Sequence, residues 1–202
     1  KFREYVAQVG KQALASNAKS IEEFLDEAWI ADPSLKVSEA LSQQVAVIGE
    51  NLTIRRFEKF VRTAPGALVG YVHGEGRISV MVELACEKED PALEELGKNI
   101  AMQIAALNPK FIATTDISEE FKAKEIEILT KQAKEDPKNA GKPDNIIEKM
   151  IMGRLNKEFK EFCLIEQPYV KDGDMTVKQY IDSVAKTVGA PITVTRMLRV
   201  ET

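Results

Sequence analysis

Hydrophobic residues recur at steps of three and four through most of this chain. Where that period breaks, short alternating runs flanked by glycine replace it. Phe2, Tyr5, Val6, Val9 and Ala13 mark one face of a first helix. Ser20 and Glu23 have the spacing of a capping box, with Phe24 and Leu25 inside the helix they open. A third helix is predicted over residues 38–48, with Leu41, Val45 and Ile48 on one side and Gly49 placed to end it. Extended segments are predicted over residues 52–61, 67–73 and 77–85. His73-Gly74-Glu75-Gly76 reads as the hairpin turn between the last two, because glycine reaches positive φ at little steric cost. A long helix covers residues 91–107 and shows Leu93, Leu96, Ile100, Ile104 and Leu107. A strand at 163–170, a helix at 177–188 and a strand at 192–200 close the chain.

Between residues 118 and 162 the helical period is sustained twice. Phe121, Ile126, Leu129 and Ala133 form one stripe; Ile146, Ile147, Met150, Ile151, Leu155, Phe159 and Phe162 form a broader one. A polar loop containing Pro137, Gly141 and Pro143 separates them, which makes an antiparallel helical hairpin. Such a hairpin is expected to lack the surface to hide both stripes and so to dock on a partner. It carries no catalytic group, and it points to a protein that works by binding.

The mixture of elements is α+β, and 202 residues suit one large or two small domains. A net charge of -4 with both signs interspersed argues against direct nucleic-acid binding, which needs a basic face. No apolar run approaches the ~20 residues of a membrane span, and no signal peptide opens the chain. Cys86 and Cys163 are far apart and fit no CxxC pattern, so free thiols in a reducing compartment are expected, the cytoplasm first and an organelle matrix as the alternative. His73 is the only histidine, and no Ser-His-Asp or Cys-His spacing surrounds it. Metal binding would need more ligands than one His and two distant Cys. Gly70, Gly74 and Gly76 lack the lysine of a phosphate loop. The expectation is no enzyme, no metal and no cofactor. Lys1 stands where a translated chain has Met, so a processed form or part of a longer protein is expected.

Five blocks in order carry a family likeness: Ile48-Gly49-Glu50-Asn51 running into Ile54-Arg55-Arg56; Gly70-Tyr71-Val72-His73-Gly74 followed by Arg77-Ile78; Ile100-Ala101-Met102 leading to Ile104-Ala105-Ala106, Pro109 and Phe111-Ile112; Gly141-Lys142-Pro143 with Glu148-Lys149-Met150 and Gly153-Arg154; and Gln167-Pro168-Tyr169-Val170. Together they resemble bacterial-type elongation factor Ts over about three quarters of the chain. The resemblance implies a core of two related subdomains. The first, residues 1–66, lacks its opening strands. The second comprises 67–116 and 163–202, and the hairpin at 117–162 is an insertion serving dimer formation. A weak repeat agrees with it, Leu52-Thr53-Ile54-Arg55-Arg56-Phe57 against Ile192-Thr193-Val194-Thr195-Arg196-Met197. A ubiquitin-associated-like domain and a Thr-Asp-Phe-Val motif are expected upstream of Lys1.

The function implied is guanine-nucleotide exchange on elongation factor Tu during translation elongation. Ile48, Gly49 and His73 match positions that meet the partner's GTP-binding domain; Val170 and Lys171 match positions that meet its barrel domains. Lys171 departs from the apolar residue often found there. The dimerisation surface would be Ile147, Met150, Ile151, Leu155 and Phe159. Plainer readings stand beside these: His73 as a solvated turn residue, Gly49 as an ordinary helix cap, Ile48 as core, and the hairpin stripe as packing onto the core. Two rival functions also remain, a non-exchanging assembly or dimerisation protein of the same fold and a cysteine-dependent enzyme using Cys86 or Cys163.

Overall fold

The computed structural model describes residues 1–202, which divide into two compact units, Lys1–Val61 and Arg62–Thr202. Both are mixtures of helices and small antiparallel sheets, an α+β fold.

In the first unit, α1 (Phe2–Ala15), α2 (Ile21–Asp26) and α3 (Val37–Ile48) surround a short hairpin of β1 (Ala28–Trp29) and β2 (Asp32–Lys36). Its core is Tyr5, Phe24, Trp29, Val37 and Ala40, with Ile54 and Phe57 packed against it. The expected face of α1 is only partly used: Tyr5 is buried while Phe2 and Val6 are exposed. Ser20 caps α2 by accepting the Glu23 N–H at 3.2 Å, but the Glu23 carboxylate accepts from Lys19 N–H at 2.8 Å, one residue before the cap. The strand expected at 52–61 does not form. A strand needs a ladder partner, and the two-stranded β1–β2 sheet does not extend to these residues.

The second unit is built on an antiparallel sheet of order β3-β4-β7, from β3 (Gly66–His73), β4 (Ile78–Ala85) and β7 (Thr193–Glu201). Val80, Val82 and Leu84 alternate on the inner face of β4. They meet Leu93, Leu96, Ile100 and Ile104 of α4 (Ala92–Leu107) and Val177, Ile181 and Val188 of α7 (Val177–Val188). Burying such side chains stabilises by about 1.5–3 kcal/mol each. The α4 helix lies so close to β3 that a Cβ on Gly97 would sit 2.4 Å from Val69 Cγ2. On the other face, Glu83 is buried and accepts two hydrogen bonds from Arg196, at 2.6 and 3.0 Å, beside a bulge in the β4–β7 register.

The hairpin helices are α5 (Glu119–Glu135) and α6 (Asp144–Phe162). Their stripes cover each other: Leu129 and Ala133 of α5 are buried in one cluster with Ile151, Leu155 and Phe159 of α6. An antiparallel pair can bury part of each stripe in the other, while Ile126 and Ile146 of the same two stripes stay exposed. Beyond α6 the expected strand at 163–170 is interrupted by a 3-10 turn, Leu164–Glu166, and only β5 (Pro168–Tyr169) forms a strand, which pairs with β6 (Asp172–Thr176).

The β5–β6 hairpin repeats β1–β2. Each has a bulge at the same point, Ala28↔Lys36 and Trp29↔Asp32 against Pro168↔Thr176 and Tyr169↔Asp172. Each feeds a 12-residue helix closed by a left-handed glycine, Gly49 or Gly189. The repeat is therefore broader than the six-residue likeness in the sequence.

Candidate partner-binding site

The residues matched to partner positions lie in both units, Ile48 and Gly49 in the first and His73, Val170 and Lys171 in the second. Ile48 ends α3 half-buried, and Val47 beside it is exposed. Gly49 donates its N–H to the Val45 carbonyl at 2.9 Å with φ +80°, a left-handed conformation that favours glycine. Nothing lies within 4 Å of where its Cβ would be, so another backbone can approach this helix end closely.

His73 is the last residue of β3, paired with Ile78 and followed by the turn Gly74–Gly76, whose three residues all have positive φ. It is exposed, but its ring is not loose. The Tyr71 hydroxyl lies 2.9 Å from His73 Nδ1, and the two rings sit 6.0 Å apart on the same face of the strand. The tautomer sets the direction of that bond: a neutral ring protonated at Nε2 accepts the phenol O–H at Nδ1, and one protonated at Nδ1 donates to the phenol oxygen. Val72, also exposed, faces the opposite side of the strand.

Val170 and Lys171 form the tip of the β5–β6 turn. Val170 is 46% exposed, yet its N–H donates to Gln103 Oε1 at 2.8 Å. The Lys171 ammonium donates to Asn99 Oδ1 at 2.7 Å. Asn99 donates onward to the Tyr180 hydroxyl at 2.6 Å, and Tyr180 stacks on Tyr169 with ring centroids 4.3 Å apart and planes 9° apart. Sequence reasoning missed Asn99 and Gln103. Their signal was available: two amides one helical turn apart among the buried Leu96, Ile100 and Ile104 of α4.

On the hairpin, Ile151, Leu155 and Phe159 are buried, Ile147 and Met150 half-buried. The apolar side chains left exposed there are Ile126, Ile128, Ile146 and Met152. Ile126 and Met152 line an open groove of about 900 Å³ together with Lys122 and Asn156.

Both cysteines are buried and free. Burial, reinforced by Glu166 and Asp116, pushes the Cys163 thiol up to about 11. A reactive cysteine needs a lowered value and access to solvent, so Cys163 is a core residue. No group of three His, Cys, Asp or Glu side chains could hold a metal ion, and no helix is long and apolar enough to cross a membrane.

Comparison with known proteins adds a family. The family model described as Elongation factor TS matches residues 1–202. Elongation factor Ts of Clostridium novyi (strain NT) is 48% identical over 200 residues, which cover 99% of this chain and 64% of that protein. The elongation factor Ts proteins of Clostridium botulinum (strain Langeland / NCTC 10281 / Type F) and Clostridium perfringens (strain SM101 / Type A) are 44% and 43% identical with the same coverage. The chain thus spans 64% of the length of the relatives it matches.

Proposed function

Proceeding from the premise that this chain belongs to the elongation factor Ts family, we propose that it is the core of a guanine-nucleotide exchange factor that binds elongation factor Tu and promotes GDP release in the cytoplasm. The observation that carries this reading is the family match over residues 1–202. The geometry of the exposed features supports it. Gly49 offers close backbone approach, His73 offers an oriented ring, and Val170 offers an apolar tip on a braced turn. On this reading Ile48, Gly49 and His73 meet the GTP-binding domain, and Val170 and Lys171 meet the barrel domains. The hairpin serves self-association through the apolar side chains it leaves exposed, while its buried stripe keeps the two helices together.

Such a protein forms and breaks no covalent bond. It acts by binding the nucleotide-free partner more tightly than the GDP-bound one. Linkage makes the effect reciprocal: the factor weakens GDP binding as much as GDP weakens binding of the factor. Each ~1.4 kcal/mol of that difference is tenfold in GDP affinity. Pressure on the GTP-binding domain supplies the difference, and contacts on the barrel domains hold the factor in place while it acts. Release of a fluorescent GDP analogue from elongation factor Tu, timed by stopped flow with and without the factor, tests the reading. Acceleration is expected. Tight binding with an unchanged release rate would favour the non-exchanging assembly protein instead.

A further inference from the structure

Two buried polar side chains of α4 serve one exposed turn. Gln103 is fully buried, and its side-chain hydrogen bonds go to the segment around Val170: Oε1 accepts the Val170 N–H at 2.8 Å, and Nε2 donates to the Pro168 carbonyl at 3.0 Å and to Gln167 Oε1 at 3.2 Å. Asn99, one helical turn earlier and also buried, accepts the Lys171 ammonium. The β5–β6 ladder pairs only Pro168 with Thr176 and Tyr169 with Asp172 around a bulge, so by itself it constrains the tip little.

We propose that Asn99 and Gln103 are positioning residues that hold the Val170–Lys171 turn ready for elongation factor Tu; this rests on the reading of Val170 and Lys171 as partner contacts. A turn ordered before binding loses less conformational freedom when it docks. The Asn99 bond has a second effect. It ties the Lys171 charge back toward α4 and leaves the methylene stem available for an apolar contact.

The first unit contains the comparison. There Gln12 Oε1 accepts the Ile30 N–H at 2.7 Å, and Nε2 donates to the Ala28 carbonyl at 3.2 Å and to Glu27 Oε2 at 3.1 Å. Ile30 is as exposed as Val170, at 52%. Ala31 stands where the second turn has Lys171, so no side-chain tie corresponds to that of Asn99. The glutamine clamp is shared by the two halves of the fold, and the ammonium tie belongs to the second turn alone.

The test is a double-mutant cycle on the full-length protein, titrated calorimetrically against nucleotide-free elongation factor Tu, with thermal midpoints measured alongside. Gln103→Met keeps the side-chain length and removes the hydrogen bonds; it should weaken affinity about tenfold alone but less than about threefold in a Val170→Ala background. Gln12→Met removes the same bonds at the other turn and should lower the midpoint while leaving affinity within about twofold. If Gln103→Met unfolds the protein, Asn99→Ala replaces it, with a loss of about threefold that disappears in a Lys171→Ala background. An equal loss in both backgrounds, or none in either, overturns the proposal. A Val170→Ala variant of normal affinity removes the contact reading and the proposal with it. An impaired Val170→Ala beside a normal Gln103→Met removes the positioning role alone.

Discussion

Gly97→Ala is expected to destabilise this protein, although the same change in an ordinary helix interior stabilises by about 0.8–1.0 kcal/mol. The sign reverses because α4 packs on β3 with no room for a methyl group. A Cβ at Gly97 would lie 2.4 Å from Val69 Cγ2 and 2.9 Å from Val69 Cβ. Carbon atoms are in favourable contact at about 3.5–4.0 Å, so the helix and strand must separate by about 1 Å or Val69 must turn. Val69 is buried and lies opposite Val82, so turning drives it into other core side chains. Overpacking of this kind costs about 1–3 kcal/mol. Subtracting the propensity gain leaves a net loss of about 1 kcal/mol, a fall of about 2–4 °C in the thermal midpoint. Urea unfolding of wild type, Gly97→Ala, Val69→Ala and the double variant measures it. With Val69 already truncated the methyl has space, and Gly97→Ala should then stabilise. A Gly97→Ala variant more stable than wild type would refute the close-packing argument. Because α4 also carries Asn99 and Gln103, a forced shift of the helix should loosen the Val170 turn as well.

Glu83 predicts a pH dependence. The hydrogen bonds from Arg196 hold its carboxyl at about 2 against an ordinary 4.5; burial opposes the shift, and the Thr195 hydroxyl at 2.9 Å assists it. The folded value is depressed, so the stabilising contribution is complete above about pH 4.5 and is lost as pH falls toward 2. The thermal-midpoint gap between wild type and Glu83→Gln should therefore be widest near neutral pH and close on acidification through that window. A gap that does not change with pH would count against the ion pair as its source. His73→Ala should slow GDP release and weaken the complex, while an exposed truncation changes stability by less than about 0.5 kcal/mol. An unfolded variant, or one that releases GDP at the normal rate, would remove His73 from the contact surface.

The elements most legible in the sequence are those whose determinants are local. The period of α4 is carried by Leu93, Leu96, Ile100 and Ile104, the end of α3 by Gly49, and the β3–β4 turn by Gly74 and Gly76. Each depends on residues a few positions apart, and the likeness to elongation factor Ts was carried by short blocks of the same kind. What tertiary structure decided was pairing. Leu52–Phe57 and Ile192–Met197 share one local pattern, but only the second becomes part of a strand, because β4 lies beside it and supplies the ladder. The stripe of Ile151, Leu155 and Phe159 announces burial without saying what covers it; Leu129 and Ala133 of the neighbouring helix do. Gln103 could be noticed as an amide in an apolar face, but its bonds reach Gln167, Pro168 and Val170, across the whole hairpin insertion. Backbone propensity acts over a turn or two, whereas strand pairing, mutual burial and the satisfaction of buried amides join residues that only the folded chain brings into contact.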